Sequence, residues 1–113
     1  MKPRSAKNKG KRFQNWVRDL ILEVFPELEA DDVRSTSMGV QGEDIQLSPK
    51  ARKYFPYNVE CKANKSFAVY NIMQQAETHG TSAPIAFLKG DRKKPLVVLY
   101  ADDFVELLKQ TRK

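Results

Sequence analysis

Seven apolar residues, Phe13, Trp16, Val17, Leu20, Ile21, Val24 and Phe25, recur at three- and four-residue steps and stop at Pro26. This spacing lays one apolar stripe along a helix over residues 11–25. Proline then ends it, because the residue before a proline is driven out of the helical region. A stripe of that width must be covered by a second layer. The segments that follow are strand-like: short runs alternate apolar and polar residues at 44–48 and 57–63.

The remaining punctuation predicts the order of elements. Residues 33–37 read as a short strand, 38–43 as a glycine-containing loop, and 49–56 as a turn between antiparallel strands. Ser66 is placed to cap a helix over 67–79, with Val69, Ile72, Met73 and Ala76 on its core face and Gly80 closing it. Strands over 85–89 and 96–100 follow, and a last helix over 101–109. The order αβββαββα implies a mixed sheet flanked by helices, in the α/β or α+β class. The 113 residues suffice for one domain.

Charge is concentrated rather than spread. Residues 1–12 hold Lys2, Arg4, Lys7, Lys9, Lys11 and Arg12 and no acid, which equals the whole net charge of +6. We therefore expect a flexible basic arm over 1–10 and a neutral domain over 11–113. Such an arm neutralises phosphates, although it can equally be a solvated tail. No apolar run approaches the roughly 20 residues that span a bilayer. No apolar stretch follows the basic start, which argues against a secretory signal. A single cysteine, Cys61, excludes an internal disulfide and agrees with a cytoplasmic setting.

The chemistry-bearing residues lie on two of the strand-like runs. Gly42-Glu43-Asp44-Ile45 opens the first, and Val59-Glu60-Cys61-Lys62 occupies the second. Residues i and i+2 of a strand share a face, so Glu60 and Lys62 project together while Val59, Cys61 and Ala63 point the other way. If the two runs pair, Asp44 joins them. Two carboxylates and a lysine at one spot suit a hard divalent cation and a water activated beside a phosphate. An exposed ion pair on a sheet face is the plainer reading, worth only about 0–1 kcal/mol. His79, the one histidine, has no second histidine or cysteine near it in sequence, which argues against zinc.

An acidic residue at a turn, a gap, and then Glu60-Cys61-Lys62 resembles the signature of the PD-(D/E)XK nuclease superfamily. The order of elements from about residue 9 to 108 is similar to small archaeal and phage Holliday-junction resolvases and phage endonucleases. The resemblance implies a restriction-endonuclease-like fold and a Mg²⁺-dependent DNA endonuclease, with Mn²⁺ able to substitute. It implies a homodimer acting on branched DNA in a prokaryotic or phage-infected cytoplasm, with no membrane. By resemblance, Asp44, Glu60 and the Cys61 carbonyl hold the metal, Lys62 orients water or stabilises developing charge, and Gln75 assists. Ser35 and Ser37 would lie near the scissile phosphate. Lys9, Lys11, Arg12, Arg34, Lys65 and Lys89 are further candidate DNA contacts. Where the resolvases often carry a metal-binding glutamate on the first helix, this chain has Gln14, a poorer ligand for Mg²⁺. A non-catalytic nucleic-acid-binding protein, or a nuclease subunit of a larger complex, is the competing expectation.

Overall fold

The computed structural model describes residues 3–36 and 42–112, with side chains from Lys7 onward. Helix α1 (Pro3–Val24) leads through a 3-10 turn at Ala30–Asp32 into β1 (Val33–Ser35) and β2 (Ile45–Leu47). Helix α2 (Pro49–Tyr54), β3 (Tyr57–Ala63), α3 (Val69–Glu77), β4 (Ala83–Lys89), β5 (Leu96–Val98) and α4 (Ala101–Thr111) follow. The five strands form one mixed sheet in the order β1-β2-β3-β4-β5. All neighbours are antiparallel except β3 and β4, which run parallel with Tyr57 opposite Ala83 and Glu60 opposite Ala86. Parallel strands need a crossover, and α3 supplies it.

Most of the stripe read from sequence faces the sheet, but its members Trp16 and Val24 stay exposed. Phe13, Val17 and Ile21 are buried against Val33, Ile45, Val59, Ala63, Ile85 and Phe87. The opposite face packs on α3, where Ile72 and Met73 meet Ala86 and Leu88. Ile85 and Phe87 therefore point to one layer and Ala86 and Leu88 to the other, as the two-residue period of a strand requires. With both faces covered, β4 reads as a continuous apolar run. Met73 shows only 1% of its surface.

Four expectations are corrected. Helix α1 begins at Pro3, eight residues before the start predicted from the stripe, so Pro3 to Gly10 are helical in the structure. The stripe marks only the part of a helix that is covered, and polar turns beyond it leave no periodic signal. Residues 49–56, expected as a turn, contain α2. Ser48 caps it, its side chain accepting the Ala51 N–H at 3.0 Å, and Pro49 opens its first turn. Helix α3 begins at Val69 with Ala68 before it and no side-chain cap, so Ser66 does not cap it. Val69 is exposed, leaving Ile72, Met73 and Ala76 as the buried face.

Gly80 has a role other than ending a helix in the left-handed region. A Cβ there would sit 3.1 Å from Oδ1 of the buried Asn58. That close approach lets the Asn58 amide reach the Ala76 carbonyl at 3.3 Å. The basic and aromatic residues of α2 are largely spent on packing. Lys50 donates to the Glu27 carbonyl, Arg52 pairs with Glu43, and Tyr54 tilts against Phe25. On the far side, β5 and α4 leave Leu96, Val97, Phe104, Val105, Leu107 and Leu108 exposed. None of the described helices is long and apolar enough to cross a membrane.

Candidate active site

The site forms where β2 stops short beside β3. The two strands pair at Ile45 and Val59, and the Asp44 N–H donates to the Val59 carbonyl at 3.1 Å. Beyond that point β3 runs on without a backbone partner from β2. The Cys61 N–H is satisfied instead by Oδ2 of Asp44 at 2.6 Å. A backbone donor left open in a part-buried place is costly, so this bond fixes the Asp44 carboxylate against β3. The N–H and C=O of one strand residue face the same neighbour. The Cys61 carbonyl thus faces the edge that the Asp44 carboxylate occupies.

The segment carrying Asp44 is held from three directions. Gly42 has φ +118°, a conformation that side chains resist, and it aims the chain into the turn. Glu43 turns away from Asp44 and pairs with Arg52 at 2.6 Å, while Arg52 also donates to the Ser82 hydroxyl at 3.2 Å. Buried Gln14, on α1, donates its side-chain amide to the Asp44 carbonyl. The Thr36 hydroxyl binds the Glu43 carbonyl. The resemblance to resolvases puts Gln14, a poorer ligand, where they often carry a glutamate. Its observed contact is with the backbone of the site rather than with a carboxylate.

Glu60 and Lys62 do share a face, with Lys62 Nζ 3.8 Å from Glu60 Oε2. Glu60 is 1% exposed, and its Oε2 has no hydrogen-bond partner. Its other oxygen meets Nε2 of His79 at 2.9 Å. His79 is the residue that sequence reasoning missed. It lies just past α3, and only the crossover from β3 to β4 returns it to the sheet. Gln75 is exposed one turn earlier on the same helix, with no side-chain hydrogen bond among those described. A concavity of about 230 Å³ opens over Asp44, Cys61 and Lys62, with Gly10, Gln14 and Asn64 on its rim.

The remaining candidates are dispersed around this point. Lys11 donates to the Ser35 hydroxyl at 3.3 Å, which ties α1 to β1. Arg34 is exposed and pairs with Asp31. Lys9 pairs with Asp91, and Lys89 donates to the Gly90 carbonyl at 2.8 Å. Arg12 and Lys65 are exposed. Ser37 lies outside the described residues.

The two carboxyls are set against their own ionisation. Burial raises Asp44 above its ordinary value, and the Cys61 N–H and the Lys62 charge only partly offset it. Burial raises Glu60 too, and the Asp44 charge raises it further. Burial also pushes the Cys61 thiol up, with both carboxylates adding to the shift. That thiol stays protonated and packs with the α1-side core. Among the described residues, no cluster of three or more histidine, cysteine or acidic side chains is arranged around a metal. What the site offers is two carboxylates and a backbone carbonyl, oxygen donors of the kind that hard cations take. The Glu60 oxygen without a hydrogen bond, and the Asp44 charge that opposes ionisation of Glu60, fit a cation at this site.

The raised values carry a stability consequence. Ordinary Asp and Glu carboxyls ionise near 3.8 and 4.5, and the folded pair does so at higher pH. The folded chain then holds protons that the unfolded chain has released. The stabilising contribution is full below those ordinary values and is lost as pH rises through the raised folded ones. Without divalent cations, the melting temperature of the Asp44→Asn/Glu60→Gln double variant should fall less across this window than that of the parent. Added Mg²⁺ at neutral pH should raise the melting temperature of the parent and not of the double variant. Parallel pH profiles for the two proteins would contradict the assignment.

Comparison with family models, with curated proteins and with solved structures finds no match to this chain.

Proposed function

We propose that this chain is a divalent-metal-dependent DNA endonuclease of the PD-(D/E)XK type, selective for branched DNA. The observation that carries the reading is the meeting of Asp44 with Glu60 and Lys62 at the uncovered edge of β3. A surface ion pair does not need a carboxylate that is 1% exposed, nor a second one raising its pKa. Strained titration of this kind is a mark of functional sites. The three-strand meander, the crossover helix and the parallel fourth strand are in keeping with a restriction-endonuclease-like fold.

Asp44, Glu60 and the Cys61 carbonyl would hold Mg²⁺, or Mn²⁺ in its place. Bound there, the ion supplies charge neutralisation at the phosphate and a lowered water pKa. Lys62 lines the concavity, where its ammonium would meet the charge that develops on the phosphate. His79 fixes the rotamer of Glu60 from behind, and Gln14 and Arg52 position the Asp44 segment. They are positioning residues, because His79 and Arg52 act through the side chains of Glu60 and Glu43, and Gln14 spends its amide on the Asp44 carbonyl. Gln75 lies exposed one turn before His79, and its assisting role rests on the resemblance alone.

The site offers groups for a phosphate and a metal rather than for base edges, so DNA shape and backbone are the targets this reading assigns it. The apolar side chains left bare on β5 and α4 suit a second copy of the chain, giving a homodimer that cuts two strands. The test is cleavage of matched four-way, flapped, single-stranded and linear duplex DNA by purified protein in Mg²⁺. The expected result is cutting of the branched substrates that stops in excess chelator. Undiminished cutting in chelator, or none on any substrate, refutes the reading.

A further inference from the structure

A second concavity, of about 720 Å³, lies on the other side of Ala63 from the candidate active site. One wall is a single face of α1. Lys9, Arg12, Phe13 and Trp16 are spaced at i, i+3, i+4 and i+7, so they line up along the helix. The opposite wall is the turn after β4, with Lys89, Gly90, Asp91, Arg92 and Pro95. Phe13 and Trp16 lie nearly parallel, with centroids 5.8 Å apart and 16° between planes. Phe13 is buried, yet Trp16 keeps 45% of its surface exposed. The core thus takes Phe13 and leaves a wide indole in the pocket.

The charges around that indole are one-sided. Lys9, Arg12, Lys89 and Arg92 face a single acid, Asp91, and Lys9 already pairs with it. An apolar aromatic surface ringed by cations matches a nucleobase carried between phosphates. The volume lies in the range of small-ligand pockets, roughly 300–1,000 Å³. A base inside a duplex hides both its π-faces in the stack, so the occupant must be unpaired. Ala63 lines both this pocket and the concavity over Lys62, which sets the pocket beside the candidate scissile position.

We infer that the Phe13–Trp16 pocket binds an unpaired nucleotide of a DNA strand, stacking its base on Trp16 while Arg12, Lys89 and Arg92 hold the flanking phosphates. The identification of the strand as DNA rests on the nuclease reading. The pocket deepens that reading: a branched or flapped substrate presents an unpaired or loosely stacked base next to its junction, and a continuous duplex does not. Selectivity for structure would then come in part from this pocket.

Trp16 is the only tryptophan in the chain, so its fluorescence reports on the pocket alone. The parent protein, without divalent metal, is titrated with a short oligothymidylate, an abasic strand of equal length, a closed hairpin duplex and free thymidine monophosphate. We expect the oligothymidylate to quench Trp16, and the abasic strand and the closed duplex to leave it unquenched. Equal quenching by the abasic strand or the duplex overturns the proposal. Equal quenching by the free nucleotide at the same concentration overturns it in favour of a mononucleotide site. Trp16→Leu, at a half-exposed position, should melt like the parent and bind labelled oligothymidylate about 5- to 150-fold more weakly, the range stacking on one base supplies. Unchanged affinity overturns the stacking role, whereas Trp16→Phe should recover part of the loss. Quenching without cleavage of any DNA would end the nuclease reading and keep the pocket. Cleavage without quenching would do the reverse.

Discussion

Asp44→Asn, Glu60→Gln and Lys62→Ala should each lower DNA cleavage by about 10²–10⁴-fold, the range seen when a positioned acid-base or electrostatic group is lost. Binding of uncut DNA in Ca²⁺ should change little, because these groups act where charge develops rather than along the strand. The three variants should differ in stability. Glu60→Gln removes a charge that burial and Asp44 both oppose, so its melting temperature at neutral pH should equal or exceed the parent's. Lys62→Ala removes a cation that favours both carboxylates and should melt lower. Single-turnover rates on a branched substrate, with melting curves beside them, check both statements. Near-normal turnover in any two variants would end the assignment.

Met73→Ala should destabilise the domain by about 2–5 kcal/mol, the cost of a large-to-small change at a fully packed site. Met73 is 1% exposed and fills the space between α3 and the Ala86–Leu88 face of β4. Against a total of roughly 5–15 kcal/mol for a domain, this is a large fraction. Helix α3 also sets the position of His79, which meets Glu60. The variant should therefore lose activity on warming before the parent does, while retaining cleavage in the cold. Urea unfolding measures the effect, and a loss under about 1 kcal/mol would show that α3 is not seated as described.

These two outcomes separate chemistry from scaffold. The acidic and basic variants should act on cleavage without opening a cavity in the apolar core. The α3 variant alters the core and reaches the reaction only through His79. A variant at Arg52 lies between them, because its guanidinium joins Glu43, next to Asp44, to Ser82 before β4.

Much of this arrangement was legible in the residues themselves. The stripe from Phe13 to Ile21 fixed which face of α1 is buried, since an apolar row at helical spacing has one way to leave water. The alternation over 57–63 put Glu60 and Lys62 on one face and Val59, Cys61 and Ala63 on the other, because strand period is a local property of the backbone. The start of α2 was also written there, in Ser48-Pro49, but a run of lysine, arginine and tyrosine masked it as a turn. The extent of α1 beyond its covered part was not legible, as solvent-facing turns carry no pattern.

Tertiary structure alone decided the rest. That Asp44 meets Cys61 depends on β2 ending where β3 continues, a matter of strand length and register between segments far apart in sequence. That His79 touches Glu60 depends on the parallel crossover through α3, which brings together residues 19 positions apart. The raised ionisation of the two carboxyls depends on the layers that close over them. Spacing within one element is set by bond geometry and can be read from a string of letters. Proximity between elements is set by how apolar faces close on one another, and it exists only once they have.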